Sequence, residues 1–217
     1  MKVLFAATAF ALTSCQTMVT QQDNYDAPAH RPVNPNNVTI KVSLDKQMVY
    51  VMEGNRPLLV TATCVGTPDH RTPQGSFRAY NKIENKRSGS YGFGVSGNGA
   101  AYPAQSSQVR GGDRYVGFPM AYWVEFAPGY GFHSGYVWNI PHSHGCLRLH
   151  PNVAPKFFAL ARPGTPISIA NSMPEDATYG ANHKHPGPEH FLAPDPPASH
   201  LISSAAFSKP TKPLFVD

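Results

Sequence analysis

The residues best equipped for chemistry crowd into one stretch, Phe132–Leu149, which reads FHSGYVWNIPHSHGCLRL. It holds Cys146, one of three cysteines in the chain, together with His133, His142 and His144. A thiol is nucleophilic as its thiolate, and an unperturbed cysteine, with a pKa of about 8.5, is mostly protonated near neutrality. A histidine within hydrogen-bond reach can take that proton, and a third group commonly holds the imidazole. Gly145, directly before the cysteine, suits a tight turn that brings backbone N–H groups close to a developing oxyanion. The stretch therefore contains a base, a nucleophile and a candidate oxyanion loop.

His133-Ser134-Gly135 followed by Ser143-His144-Gly145-Cys146-Leu147-Arg148 resembles the signature of the L,D-transpeptidase catalytic domain (YkuD) family, which remodels bacterial peptidoglycan. The resemblance implies that Cys146 is the nucleophile and His133 the proton donor and acceptor. It assigns the Ser134 carbonyl to orienting the imidazole, and His144 and Gly145 to the oxyanion site. Arg148 matches a position that the family fills with arginine or asparagine, suited to a substrate carboxylate or a structural one. Trp138 and Tyr122 are further candidate substrate-binding positions. Only ten residues separate His133 from His144, where the family more often has a longer segment, so the connecting loop must be tight.

The resemblance spans 38–170 and implies a fold that is mainly β: a β-sandwich of antiparallel and mixed sheets, with one short helix and a long flap. The implied chemistry is a two-step acyl transfer from a tetrapeptide stem of peptidoglycan, through a thioester, to an amine. That amine belongs to a second stem peptide, to an outer-membrane lipoprotein or to a free D-amino acid. Water as the acceptor gives the alternative, an L,D-carboxypeptidase or endopeptidase using the same Cys-His pair. A non-catalytic wall-binding lipoprotein is a further alternative, although every implied catalytic position holds a competent residue.

The pattern of the chain agrees with that fold. Charged residues make up only 14%, against 22 prolines and 18 glycines, which favours a loop-rich β protein. Val38–Ser43 alternates with period two, Gln47–Met52 follows as a second strand, and Leu58–Val65 is a third, apolar enough to be central. Thr72-Pro73-Gln74-Gly75 forms a turn into a strand over Ser76–Tyr80. Asn81–Pro119, rich in Gly, Ser, Asn and Tyr, reads as a structureless flap facing substrate, with Tyr91, Phe93 and Tyr115 as groove or local-core aromatics. Tyr122–Phe126 is a strand, and Gly131–His133 starts another, placing His133 at a strand end on rigid support. A short helix over Val153–Ala161 and a closing strand over Thr165–Ala170 complete the domain.

The flanks differ. Residues 1–15 carry Lys2, an apolar run and Leu12-Thr13-Ser14-Cys15, a secretory signal ending in a bacterial lipobox with Cys15 as the lipidated residue. Gln16 at the next position favours an outer-membrane anchor in a Gram-negative cell, so the expected location is the periplasm. Residues 16–37 read as a flexible tether and 171–217 as a Pro- and His-rich tail without packed structure. Cys64, within an apolar run, reads as a small core residue, although an oxidising compartment also permits a disulfide to Cys146. The net charge of +5 suits an anionic polymer such as the cell wall. Lys and Arg are scattered rather than clustered, which argues against nucleic acid. Neither HExxH nor a paired CxxC occurs, so no metal and no cofactor is expected.

Overall fold

The computed structural model describes residues 25–186, 196–207 and 209–217. The signal segment and Cys15 lie outside them, and so do residues 16–24 of the expected tether. None of the described helices is long and apolar enough to cross a membrane.

Two five-stranded mixed sheets form the fold, as the family resemblance implies. The first has the order β3-β2-β1-β10-β4, with β1 Val38–Ser43, β2 Met48–Glu53, β3 Arg56–Ala62, β4 Gly75–Arg78 and β10 Pro166–Ala170. The second has the order β6-β5-β7-β8-β9, with β5 Asn81–Val95, β6 Ala101–Gln105, β7 Arg114–Ala127, β8 Tyr130–Ser134 and β9 Leu147–Leu149. Each sheet contains one parallel pair, β1 with β10 and β8 with β9. Between the sheets, Ile40, Val42, Val49, Val51, Ile167 and Ile169 meet Val124, Phe126, Phe132, Leu147 and Leu149. The helix α1, Ala154–Leu160, closes this core with Phe157, whose ring lies 4.5 Å from that of Phe132.

β2 is apolar at every position from Met48 to Met52, and both of its faces are buried. Val49 and Val51 enter the inter-sheet core, while Met48, Tyr50 and Met52 point the other way into a second cluster with Cys64 and Val137. Covering that outer face corrects the expectation of an unstructured tail. Residues 171–186 fold back over it through Met173, Tyr179 and the short helix α2, Glu175–Thr178. Asp176 accepts hydrogen bonds from the Tyr50 hydroxyl at 2.7 Å and the Ser43 hydroxyl at 2.8 Å, and Glu175 pairs with Lys41. Farther along, the turn α3, Ala198–Leu201, packs its Ala198 and Leu201 on Phe93, Val95 and Val116 of the second sheet. Arg87 clamps this segment by donating to the carbonyls of Leu201 at 2.8 Å and Ser203 at 2.7 Å.

The tether expectation also needs correction for residues 25–37. Ala27 and Ala29 are fully buried, and Ala29 forms a β-bridge with Leu59 on β3. Asp26 pairs at 2.7 Å with the buried Lys156 of α1, a cation that needs this partner inside the fold. The flap, in turn, is not structureless. Over Asn81–Pro119 it is a long antiparallel pairing of β5 with β7, edged by β6. It extends past the inter-sheet core, and its apolar burial is confined to a small cluster of Phe93, Val95 and Val116, so most of its length shows no apolar alternation. Its glycines mark close backbone approach: a Cβ on Gly92 would lie 2.3 Å from the Val116 carbonyl oxygen.

Candidate active site

Parallel pairing of β8 with β9 brings together two pieces of chain that the sequence separates by a tight loop. Phe132 is registered with Leu147 and His133 with Arg148. Phe132 and Leu147 are fully buried in the inter-sheet core, so His133 and Arg148 project from the opposite face. Cys146 is the last residue of the turn that leads into β9, directly before Leu147.

His133 is 7% exposed. Its Nδ1 lies 2.8 Å from the Ser134 carbonyl oxygen, so Nδ1 carries the hydrogen and donates it there. The Nε2 lone pair is then left to act as base. Burial pulls the imidazole down to about 4; the Ser134 carbonyl opposes this and the Arg148 charge adds to it. Cys146 is half-buried, and its Sγ donates to the Gly129 carbonyl at 3.7 Å. Burial pushes the thiol up; the Gly131 N–H and Arg148 oppose that, and Glu125 reinforces it. The resting pair is thus a neutral imidazole beside a protonated thiol. A thiol of this kind becomes nucleophilic when the base removes its proton during attack.

The turn before Cys146 is built by Ser143. Its Oγ accepts from the Gly145 N–H at 3.1 Å and donates to the Cys146 carbonyl at 2.6 Å. Cys64–Thr67 backs it: the Val65 carbonyl accepts from the Ser143 N–H at 3.0 Å, and Cys64 bridges to Arg148. Gly145 has φ +101°, and a Cβ there would lie 2.6 Å from the Tyr130 ring. Its N–H donates to Ser143 Oγ, which fixes the turn that leads into Cys146. The backbone N–H groups of His144 and Cys146 have no hydrogen-bond acceptor among the described residues. The His144 ring is exposed and stacks on Tyr91 of β5 at 4.8 Å, with His70 on another side at 4.8 Å.

Arg148 has no carboxylate within ion-pair distance among the described residues. Tyr122 is not at the groove: it is buried in the inter-sheet core, edge-on to Phe158 of α1 at 5.7 Å. The strand alternation that buries Tyr122, Val124 and Phe126 sends Trp123 the other way. The indole of Trp123 lies 6.1 Å from the His133 ring. The alternation signal was present, since three core positions at every second residue leave Trp123 facing the base. Trp138 fills the tight loop, packing half-buried on the Met48–Tyr50–Cys64 cluster and against His142 at 4.5 Å. Cys64 and Cys146 are both free thiols, and Cys64 is fully buried in that cluster. Among the described residues no group of three or more His, Cys, Asp or Glu side chains is placed to hold a metal ion.

Residues 37–169 match the family model of the L,D-transpeptidase catalytic domain, YkuD. The chain belongs to this family. Among solved structures, the L,D-transpeptidase of Stackebrandtia nassauensis is 19% identical, with 67% of this chain and 60% of that one covered and a TM-score of 0.46. L,D-transpeptidase 1 of Mycobacterium tuberculosis is 22% identical over 62% of this chain and 59% of its own, with a TM-score of 0.44. The catalytic domain of the Enterococcus faecium L,D-transpeptidase is 25% identical over 61% of this chain and 96% of its own, with a TM-score of 0.42. This L,D-transpeptidase-family chain spans about three-fifths of the length of the first two structures matched, 60% and 58%. No curated protein matches it.

Proposed function

We propose that the chain is a peptidoglycan L,D-transpeptidase in which Cys146 forms a thioester with a tetrapeptide stem and passes the acyl group to an amine. The observation carrying this is the parallel pairing of β8 with β9, which sets His133 in register with Arg148, two residues past Cys146, with the His133 Nδ1 hydrogen held by Ser134 and Nε2 left as base. As Cys146 attacks the carbonyl that follows the L-centre, His133 takes the thiol proton. The carbonyl oxygen becomes an oxyanion, for which the N–H groups of His144 and Cys146 are the donors at hand. Loss of one such donor typically costs ~3 kcal/mol. Collapse breaks the amide bond, and the departing D-alanine amine takes the proton from the His133 imidazolium. The acceptor amine then attacks the thioester, His133 accepts its proton, and the thiol is restored. The absence of a structural carboxylate partner for Arg148 among the described residues supports a contact with the substrate carboxylate. The Leu12–Cys15 pattern supports lipid attachment at Cys15 and action in the periplasm at the outer membrane.

Incubation of the full chain with purified disaccharide-tetrapeptide, followed by mass spectrometry, tests the assignment. The expected product is a cross-linked dimer lacking one D-alanine, absent with Cys146→Ala. Tripeptide without dimer, with an amine acceptor in excess, would contradict transfer and favour hydrolysis.

A further inference from the structure

One carboxylate reaches toward both halves of the Cys-His pair. Glu125 lies on β7, registered with Asn81 of β5 and Gly131 of β8, at a bulge in the β7–β8 pairing. Its Oε2 accepts from Asn81 Nδ2 at 3.1 Å and from Trp123 Nε1 at 3.3 Å. Its Oε1 accepts from the Gly129 N–H at 3.3 Å. Each neighbour then touches the site. The Trp123 indole faces the His133 ring at 6.1 Å, and the Gly129 carbonyl accepts from Cys146 Sγ at 3.7 Å. The turn itself, Pro128-Gly129 with φ +78° at Gly129, contains no other side chain that caps it. Hydrogen bonds to an ionised carboxylate are about twice as strong as neutral ones, so Glu125 is the firmest tie in this turn.

We propose that Glu125 is a positioning residue: its carboxylate holds the Trp123 indole against the base and the Gly129–Gly131 turn against the nucleophile. Burial pushes Glu125 up, but bonds from Asn81, Trp123, Tyr80 and the Gly129 N–H together hold it below the ordinary carboxylate range, so it is ionised at working pH. The negative charge has a second consequence for Cys146. The charged groups that act on the sulfur are Arg148 and Glu125, and the base His133 is registered with Arg148 on the neighbouring strand. Glu125 is the one that disfavours the thiolate. The residue therefore trades thiol acidity for geometry, and the two can be read separately. The catalytic part of this proposal rests on the acyl-transfer assignment; the effect on the thiol does not.

The test is Glu125→Gln in the full chain. Glutamine keeps the shape and one acceptor oxygen, loses the charge, and cannot satisfy donors on both sides of the group. Three quantities are compared with wild type: melting temperature, the pH midpoint of Cys146 alkylation by iodoacetamide, and the single-turnover rate of acylation by disaccharide-tetrapeptide. The expected result is an alkylation midpoint moved to lower pH together with slower acylation at saturating donor. Loss of alignment of this kind costs up to ~10²-fold. A purely structural role would lower the melting temperature and leave both the midpoint and the rate per folded molecule unchanged; that result overturns the proposal. Should Glu125→Gln fail to fold, Asn81→Ala removes one donor, the Nδ2 group at 3.1 Å, from the same carboxylate. It is expected to slow acylation in the same direction by a few-fold, and an unchanged rate overturns the proposal. A midpoint shift with no acylation even in wild type would sustain the effect of the Glu125 charge on the thiol, overturn the catalytic part of the proposal and refute the acyl-transfer assignment.

Discussion

The wall that carries His133 and Cys146 and the flap that leans over it are built from the same sheet but held by different forces. Behind β8 and β9, Phe132, Leu147 and Leu149 are fully buried, and Phe132 meets the Phe126 and Phe157 rings at 5.6 and 4.5 Å. The distal half of β5 has a much smaller backing, Phe93 and Val95 with Val116 beneath Ala198 and Leu201. Tyr91 and Phe118 are each 44% exposed, and the ring contact from this region to the motif is the stack of Tyr91 on His144. The wall inherits its position from the core. The flap takes its support from strand pairing and from the C-terminal segment clamped by Arg87. Alignment of base and nucleophile should thus be costly to disturb, while the flap can yield to substrates of different shape.

The sharpest break in this comparison comes from the wall. Cys146→Ala is expected to abolish acylation, and His133→Ala to slow it by roughly 10²–10⁴-fold, the range for general acid–base groups, as measured by single-turnover kinetics. Next, Phe132→Ala should destabilise the fold by about 3–5 kcal/mol in urea titration, because it empties a fully buried ring site directly behind the base. An equivalent truncation on the flap should cost far less.

The third effect concerns pH. His133 stands at about 4 in the fold against 6.5 as a free imidazole. Between those values the unfolded chain binds a proton that the folded chain does not. Stability therefore falls as pH drops through this window and levels off below about 4, a loss of roughly 3 kcal/mol from this group. Unfolding free energies measured across the window in wild type and His133→Gln should show a shallower slope in the variant. The smallest effect is expected from Tyr91→Ala, which removes one aromatic stack worth about 0.5–1.5 kcal/mol. It should change transfer to different amine acceptors by a few-fold, with the melting temperature lowered by no more than about 1–6 °C. A loss of acylation as deep as that of His133→Ala would erase the distinction between flap and wall.

Much of this was legible in the residues because local signals and tertiary demands coincided. Val38–Ser43, Gln47–Met52 and Tyr122–Phe126 alternate or run apolar, and each is a strand. The His-Ser-Gly element ends β8, and the Ser-His-Gly-Cys turn leads directly into β9, its parallel partner. Other features were hidden for physical reasons. β5 and the distal part of β7 bury little, so their order comes from backbone pairing, which leaves no apolar periodicity. Residues 25–37 and 171–186 are polar and proline-rich, yet Ala27, Ala29, Glu175 and Asp176 find partners that are remote in sequence. One clue to their docking was in the chain, since the unbroken Met48–Met52 run requires cover on both faces. Tyr122 was assigned to the groove although the alternation with Val124 and Phe126 turns it into the core. Glu125 had no motif to mark it, and its importance arises only from where Trp123 and Gly129 come to rest.

The most direct test of the central claim is intact-protein mass spectrometry of the full chain, quenched early after mixing with disaccharide-tetrapeptide, with peptide mapping of any adduct. The structure-based account predicts a mass increase equal to the donor minus D-alanine, located on the peptide containing Cys146. The adduct should form more slowly in His133→Ala and be absent in Cys146→Ala. An adduct that maps elsewhere and persists in Cys146→Ala, or no adduct in wild type while the donor is consumed, would contradict it.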